Sequence, residues 1–429
     1  MATPSFLLRA GLWLALLGSG LRLAQAQATA PNSAAVFAGV PQQAITSEPA
    51  TQFPALSAEF YAHQLFLLGE AHGVQRPQEL DLALFEHLNE RAGVRIYVAE
   101  MDCAQAYYLN RYLRTGDEAT LALVFRSWTA ATSQWANQDL QAKFQRLRAW
   151  NHTLPRHRQV RFLGLDDVQD QPLLADYLTA LVKQQRPPQP VRLRVDSLIS
   201  LLRQPVVLAP ALATTARRAG RALGELAAAR EARYDDLRHA LANLTHNPAR
   251  REQNLFTNFE AYYRTQHLEQ EKLYGFWGLN HVLQSPLQGG ATSWVAQLRR
   301  SSLPVHDRIV SLLCVFADCQ MLVPSAWLPP TEQEPGHCYT STTRFNHDGP
   351  LVVLAGISEL KQRTQLGSTT LFDLTAPAAA TRHQPIQVSY PLGAPLGQAL
   401  QFRADLPATA YVQYLLLVRN SLALRPLQP

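Results

Sequence analysis

The stretch that decides the fold is Leu65–Asp102, which reads LFLLGEAHG (65–73), VQ (74–75), RPQELDLALFEHLNERAG (76–93) and VRIYVAEMD (94–102). The apolar run Leu65 to Leu68 lacks polar alternation, as expected of a strand covered on both faces. Leu80, Leu84 and Leu88 recur every fourth residue with Phe85 beside them, the spacing of one helix face. Pro77 suits the first turn of that helix, Gly93 ends it, and Val94 to Ala99 reads as the next strand. Strand, helix and strand joined by short links form one βαβ unit of parallel sheet. In such sheets ligands bind just beyond the carboxyl ends of the strands. Glu70 and His72 follow the first strand and Glu100 the second. Two neighbouring strands are therefore expected to deliver two carboxylates and an imidazole to one crevice.

Outward from this unit, helical patterns run over about 103–114, 117–127 and 136–151, and Val160 to Leu165 reads as a third strand ending at Asp166. From about 171 to 270 strand patterns vanish and Ala, Arg and Leu dominate, which reads as a helical insertion packed over the sheet. Leu273 to Leu279, Ile309 to Phe316, Leu351 to Leu354 and Tyr411 to Val418 are further apolar runs, and Thr292 to Arg300 a short helix. The expected fold is α/β, a mostly parallel central sheet flanked by helices, over residues 51–429. Residues 1–26 carry Arg9, a short apolar segment and the triplet Ala24-Gln25-Ala26, the layout of a secretory signal, so the protein is expected to be exported, periplasmic or secreted. Residues 27–50 are rich in Ala, Pro, Ser, Thr and Gln and read as a flexible leader. No later run is long and apolar enough to span a bilayer.

The hydrophobic content of 47% supports a sizeable core. The net charge of +6 comes from scattered arginines rather than a basic block, which speaks for a solvated surface and against a nucleic-acid partner. Four cysteines permit disulfides, but no spacing among them resembles a zinc site.

Gly69 and Gly73 bracket Glu70, Ala71 and His72, so the backbone can turn tightly there and bring a ligand close. Carboxylates sharing a poorly solvated site shift each other's pKa and hold a neighbouring imidazole in one tautomer. Asp166 is a third strand-end acid or the N-cap of the next helix. His281 ends a very apolar segment, either at a fourth strand end or as a core histidine. Arg251 and Asn258 lie seven residues apart and share a helix face. His87, His152, His157, His239, His246 and His267 fall on polar faces or loops and read as inert. The Gly-x-Ser-x-Gly elbow, the His-Glu-x-x-His motif and the phosphate-binding glycine loop are absent, which argues against a serine-triad hydrolase, a thermolysin-like protease and an ATPase.

These motifs, taken in order, resemble the erythromycin esterase-like family, part of a wider group with haem-uptake ChaN-like proteins and Tiki-type metalloproteases. Gly69-Glu70-Ala71-His72-Gly73 resembles the family's Gly-Glu-x-x-His-Gly, one residue shorter, as in the ChaN-like branch. Glu100 in YVAEMD, LNRYLRTG (109–116), Trp135 to Asn151, Asp166 in VRFLGLDDVQ (160–169) and the pair Arg251 and Asn258 follow the family's order. WGLNHV (277–282) resembles Trp-Ala-His-Asn-x-His, with Leu279 in place of the first histidine, so only His281 carries over. The resemblance implies hydrolysis of an ester, lactone or amide bond of a small molecule, with no required cofactor. It implies His72 as general base, Glu70 and Glu100 orienting and polarising it, and His281 completing the catalytic set. Asp166, Arg251 and Asn258 would bind substrate. The alternatives are a metal-dependent hydrolase, with Glu70, His72, Glu100 and His281 as ligands to a divalent ion, and a non-catalytic binder of haem or another ligand.

Overall fold

The structure, a computed structural model, describes residues 35–46, 53, 56–225, 232–393 and 399–427. The export signal expected at 1–26 lies outside them. The chain begins with β1 (Gln42–Ile45), α1 (Ala58–Ala62), β2 (Leu65–Glu70), α2 (Gln75–Ala92), β3 (Ile96–Ala99), α3 (Cys103–Thr115), α4 (Glu118–Ala130), α5 (Gln138–Thr153) and β4 (Arg161–Gly164). A helical run follows: α6 (Gln171–Gln185), α7 (Gln189–Leu202), α8 (Ala209–Gly224), α9 (Asp235–Asn243) and α10 (Arg251–Thr265). Then come β5 (Leu273–Gly278), α11 (Trp294–Arg299), β6 (Ile309–Ala317), β7 (Met321–Pro324), β8 (Tyr339–Thr342) and β9 (Val353–Leu354). The last elements are α12 (Ile357–Gln362), β10 (Thr369–Asp373), β11 (Val388–Ser389) and β12 (Tyr414–Arg419).

One eight-stranded sheet runs in the order β1-β10-β12-β6-β2-β5-β3-β4. From β12 to β4 every pairing is parallel, and only β10 and β1 at one side are antiparallel. The protein is thus a mostly parallel α/β structure. Along β2, Leu65 and Leu67 enter one core and Phe66 and Leu68 the other. The first core is packed by α10 and α11 through Leu255, Phe259, Trp294 and Leu298. The second is packed by α2, α3 and α5 through Leu84, Phe85, Leu109 and Phe144. Both faces being covered explains why β2 reads as an unbroken apolar run. Within the helical run, α6 packs on α3 and α9 on α10. The exposed edge at β4 is blunted by one side chain. Asn110 donates to the Phe162 carbonyl (2.8 Å) and accepts from the Phe162 N–H (2.7 Å), standing in for a neighbouring strand.

Three features differ from the sequence expectations. First, β2 and β3 are not neighbours, because β5 lies between them and pairs with both. Leu273–Trp277 is buried throughout, and so apolar a strand is most stable where both faces and both edges are covered. Second, the described part of the 27–50 segment is ordered structure: Phe37, Val40 and Ile45 are buried, and β1 is the sheet's edge strand. A few buried apolar side chains suffice once β10 offers an edge. Third, the run at 351–354 forms only two-residue β9, which pairs with β11 outside the main sheet, since Pro350 and Gly356 bracket it. The four cysteines, whose pairing the sequence leaves open, are free. Among the described residues no helix is long and apolar enough to cross a membrane.

Candidate active site

Glu70 is the last residue of β2, Glu100 follows β3, Asp166 follows β4, and His281 lies in a single 3₁₀ turn, Leu279–Val282, after β5. Arg251 opens α10. The carboxyl ends of four parallel strands thus converge with one helix start, as the crevice rule for open sheets requires.

Glu70 is buried, and its Oε1 lies 2.9 Å from Nδ1 of His72. Directly after His72 the chain turns at Gly73, whose φ of +103° and close approach to the Leu322 carbonyl suit glycine alone. A carboxylate only accepts, so His72 carries its proton on Nδ1 and leaves the Nε2 lone pair free. That Nε2 is 3.9 Å from Glu100 Oε2, beyond hydrogen-bond distance. The Trp135 ring covers the imidazole at 4.4 Å between centroids, and Gln134 donates to the His72 carbonyl at 3.3 Å. Burial lowers the His72 pKa, but the hydrogen bond and charge of Glu70 and the charge of Glu100 raise it more, so it ends above 6.5. Burial pushes the Glu70 carboxyl up, against the pull of His72 and of Lys143.

Gly278 explains how side chains from non-adjacent strands meet. A Cβ there would stand 3.1 Å from His72 Nε2 and 3.3 Å from the His281 ring, so β5 passes beneath the site only because it ends in glycine. The Gly278 N–H also donates to Glu100 Oε2 at 2.9 Å.

Arg251 is the electrostatic centre. Its guanidinium donates to Asp166 through Nε (2.9 Å) and Nη2 (2.7 Å), to Glu100 Oε1 through Nη2 (2.8 Å), and to His281 Nε2 through Nη1 (3.0 Å). Burial would push the Glu100 carboxyl up, but the charges of His281, Arg251 and His72 hold it at about 2. A guanidinium cannot accept, so His281 Nε2 is the acceptor and its proton is on Nδ1. Glu252 Oε1 sits 2.7 Å from that Nδ1, off the line of a straight hydrogen bond, and its other oxygen accepts the Trp294 N–H at 2.8 Å. Burial opposes ionisation of Glu252, and His281 and the Trp294 amide outweigh it and lower its pKa.

Of the residues expected from sequence, Glu70, His72, Glu100, Asp166, Arg251 and His281 therefore converge. Asn258 does not. It is buried, and its amide donates to the Leu165 carbonyl at 2.7 Å, so it fixes the chain at the end of β4. Leu279, standing where the family has a histidine, packs against the apolar core. Two of the histidines read as inert also sit differently. His246 contacts Asp167 at 3.0 Å, and His239 is buried against Tyr262 with burial holding its pKa at about 3.

Two groups escaped the sequence reading. Glu252 carries no signal beyond following Arg251. Lys143 and Asp81 did carry one: each falls on its helix's apolar face, Lys143 between Leu140 and Leu147, Asp81 four residues before Phe85. They pair at 2.6 Å in the core under Glu70, where Asp81 also accepts from Tyr97 and Tyr274 (both 2.8 Å) and Lys143 donates to Gln78 (2.6 Å). Every charge in that network is matched, as a buried network requires.

A divalent ion does not fit this donor set. The position between Glu100, Asp166 and His281 is filled by the Arg251 guanidinium, and His72 Nδ1 is committed to Glu70. Among the described residues no three His, Cys, Asp or Glu side chains converge to hold one ion.

Residues 89–277, which span Glu100, Asp166 and Arg251, match one protein-family model. That model describes the erythromycin esterase family. Three solved structures share the fold. The erythromycin esterase EreC, as a histidine-to-asparagine mutant in its open conformation, aligns with TM-score 0.60 at 13% identity, over 89% of this chain and 98% of that one. A Bacillus cereus protein from structural genomics aligns at 0.59 and 15%, over 86% and 91%. A succinoglycan biosynthesis protein aligns at 0.57 and 15%, over 85% and 89%. Sequence comparison with curated proteins gives no match. The family model thus covers the motifs around Glu100, Asp166 and Arg251, while Glu70, His72 and His281 lie outside it, and the overall fold is shared with a solved erythromycin esterase.

Proposed function

We propose that this protein is an exported hydrolase of an ester, lactone or amide bond in a small molecule, acting through a water activated by His72. The observation that carries this reading is the state of the two imidazoles. Both have Nδ1 against a glutamate, but Arg251 occupies Nε2 of His281 while Nε2 of His72 makes no hydrogen bond among the described residues. His72 Nε2 takes a proton from water, the resulting hydroxide attacks the carbonyl carbon, and the same nitrogen returns the proton to the leaving oxygen or nitrogen. Arg251 stabilises the negative charge on the carbonyl oxygen, an electrostatic role that its fixed position prepares in advance. Glu70 steadies the imidazolium that forms, and His281 with Glu252 holds Arg251 in place. The erythromycin esterase fold of the relatives supports the reaction class, and 1–26 supports export. No cofactor enters this scheme.

The test is turnover of a panel of nitrophenyl esters and aliphatic lactones by the mature chain and by His72→Ala. A positioned base contributes roughly 10²–10⁴-fold, so the variant is expected to lose that much in kcat/KM while staying folded. A folded His72→Ala enzyme with unchanged rates removes His72 from the mechanism. Recovery of a chain that starts at Gln27 from outside the cytoplasm checks export.

A further inference from the structure

Glu100 and Asp166 lie on separate loops, after β3 and after β4, yet one guanidinium nitrogen reaches both, at 2.8 and 2.7 Å. Something must set the spacing of these loops before Arg251 arrives, because two buried carboxylates repel each other. Asp102, two residues past Glu100, is fully buried and makes four contacts with backbone amides. Its Oδ1 accepts the N–H groups of Ala104 and Gln105, both at 2.9 Å, which caps α3. Its Oδ2 points the other way and accepts the N–H groups of Gln169 (2.8 Å) and Asp170 (3.4 Å) on the loop after β4. The side chain of that same Gln169 donates to Asp166 Oδ2 at 2.9 Å. The loops are also in backbone contact, Asp166 N–H to the Met101 carbonyl at 3.0 Å. Gly164 permits this approach, since a Cβ there would stand 2.2 Å from the Asp102 carbonyl oxygen.

We propose that Asp102 is a positioning residue: its one carboxylate caps α3 and ties the β4 loop, and so fixes Glu100 and Asp166 at the distance that Arg251 spans. An N-cap needs one acceptor oxygen. The second oxygen is what a cap alone leaves unexplained, and it serves the neighbouring acid's loop. Arg251 and the His72 pocket then inherit their geometry from a residue that touches neither.

Two variants separate capping from tying. Asp102→Ser keeps an N-cap oxygen but cannot reach Gln169 and Asp170, and Asp102→Asn keeps the shape but turns a donor toward those amides. The readout is the NMR titration of the His72 imidazole in histidine-labelled protein, which depends on the placement of Glu100. The expected result for both folded variants is a fall in the His72 midpoint of about half a unit or more, with α3 retained by circular dichroism. An unchanged His72 midpoint in either folded variant overturns the proposal. So does an Asp102→Ser chain that fails to fold, because the carboxylate would then serve folding rather than positioning. No substrate is used, so this outcome is independent of whether the hydrolase reading stands.

Discussion

The site holds two glutamate–histidine pairs, and they differ in how they are made. Glu70 and His72 come from one turn of chain, two residues apart, at 2.9 Å. Glu252 and His281 come from the start of α10 and the turn after β5, and meet at 2.7 Å only because Trp294 and Arg251 hold both in place. In each pair the imidazole keeps its proton on Nδ1. The first leaves its lone pair to the crevice, and the second gives its lone pair to Arg251. The same dyad thus offers a free lone pair in one place and acts as a brace in the other, and the difference lies in what stands at Nε2.

Removing the brace's load should give the largest effect on stability. Arg251→Met leaves Glu100 and Asp166 buried without a cation, which predicts a loss of roughly 2–4 kcal/mol in urea unfolding, discounted because the arginine is itself partly exposed. Ester turnover should fall roughly 10²–10³-fold with the loss of oxyanion stabilisation. Unchanged stability would mean that the carboxylates do not depend on Arg251, and the contrast between the pairs would collapse. Glu252→Gln tests the brace more gently. Losing one charge contact of about 1 kcal/mol predicts a roughly fivefold fall in kcat. A drop as deep as that of His72→Ala would make His281 a second reacting group.

The pH profile sharpens the other half. His72 is a base only when neutral, and its pKa is raised above 6.5, so kcat/KM should climb with pH through a midpoint above that value. Glu70→Gln keeps an acceptor for Nδ1 but removes the charge that raises the pKa, so the midpoint should move down by on the order of one unit. A limb that stays put would assign it to another group. The smallest effect on turnover is expected from Asn258→Ala. Its lost bond to the Leu165 carbonyl should lower stability by about 1–2 kcal/mol and leave KM unchanged. A clear rise in KM would restore it to the substrate site.

What was readable in the sequence follows from locality. The β2-to-β3 unit, the strand-end positions of Glu70, Glu100 and Asp166, and the i, i+7 placement of Arg251 depend on periodicity within a few residues. What was misread depends on pairing at a distance. Nothing near Leu273 says that its strand enters between β2 and β3, and nothing near Gln42 says that β10 will offer it an edge. Asn258 shares a helix face with Arg251, yet seven residues carry it about 10 Å further along the helix axis, where its amide meets the Leu165 carbonyl just past β4.

By itself the sequence determined the parallel α/β class and the Glu70–His72 pair, because apolar runs, helical spacing and a glycine-bracketed turn act over short distances. Only the tertiary structure decided that this pair leaves its Nε2 free toward the crevice. That outcome needs Gly278 to let β5 pass beneath the imidazole, Arg251 to engage the other histidine, and Asp102 to set two acidic loops side by side. Each of these contacts joins residues far apart in the chain, where burial and pairing, rather than local preference, choose the partner.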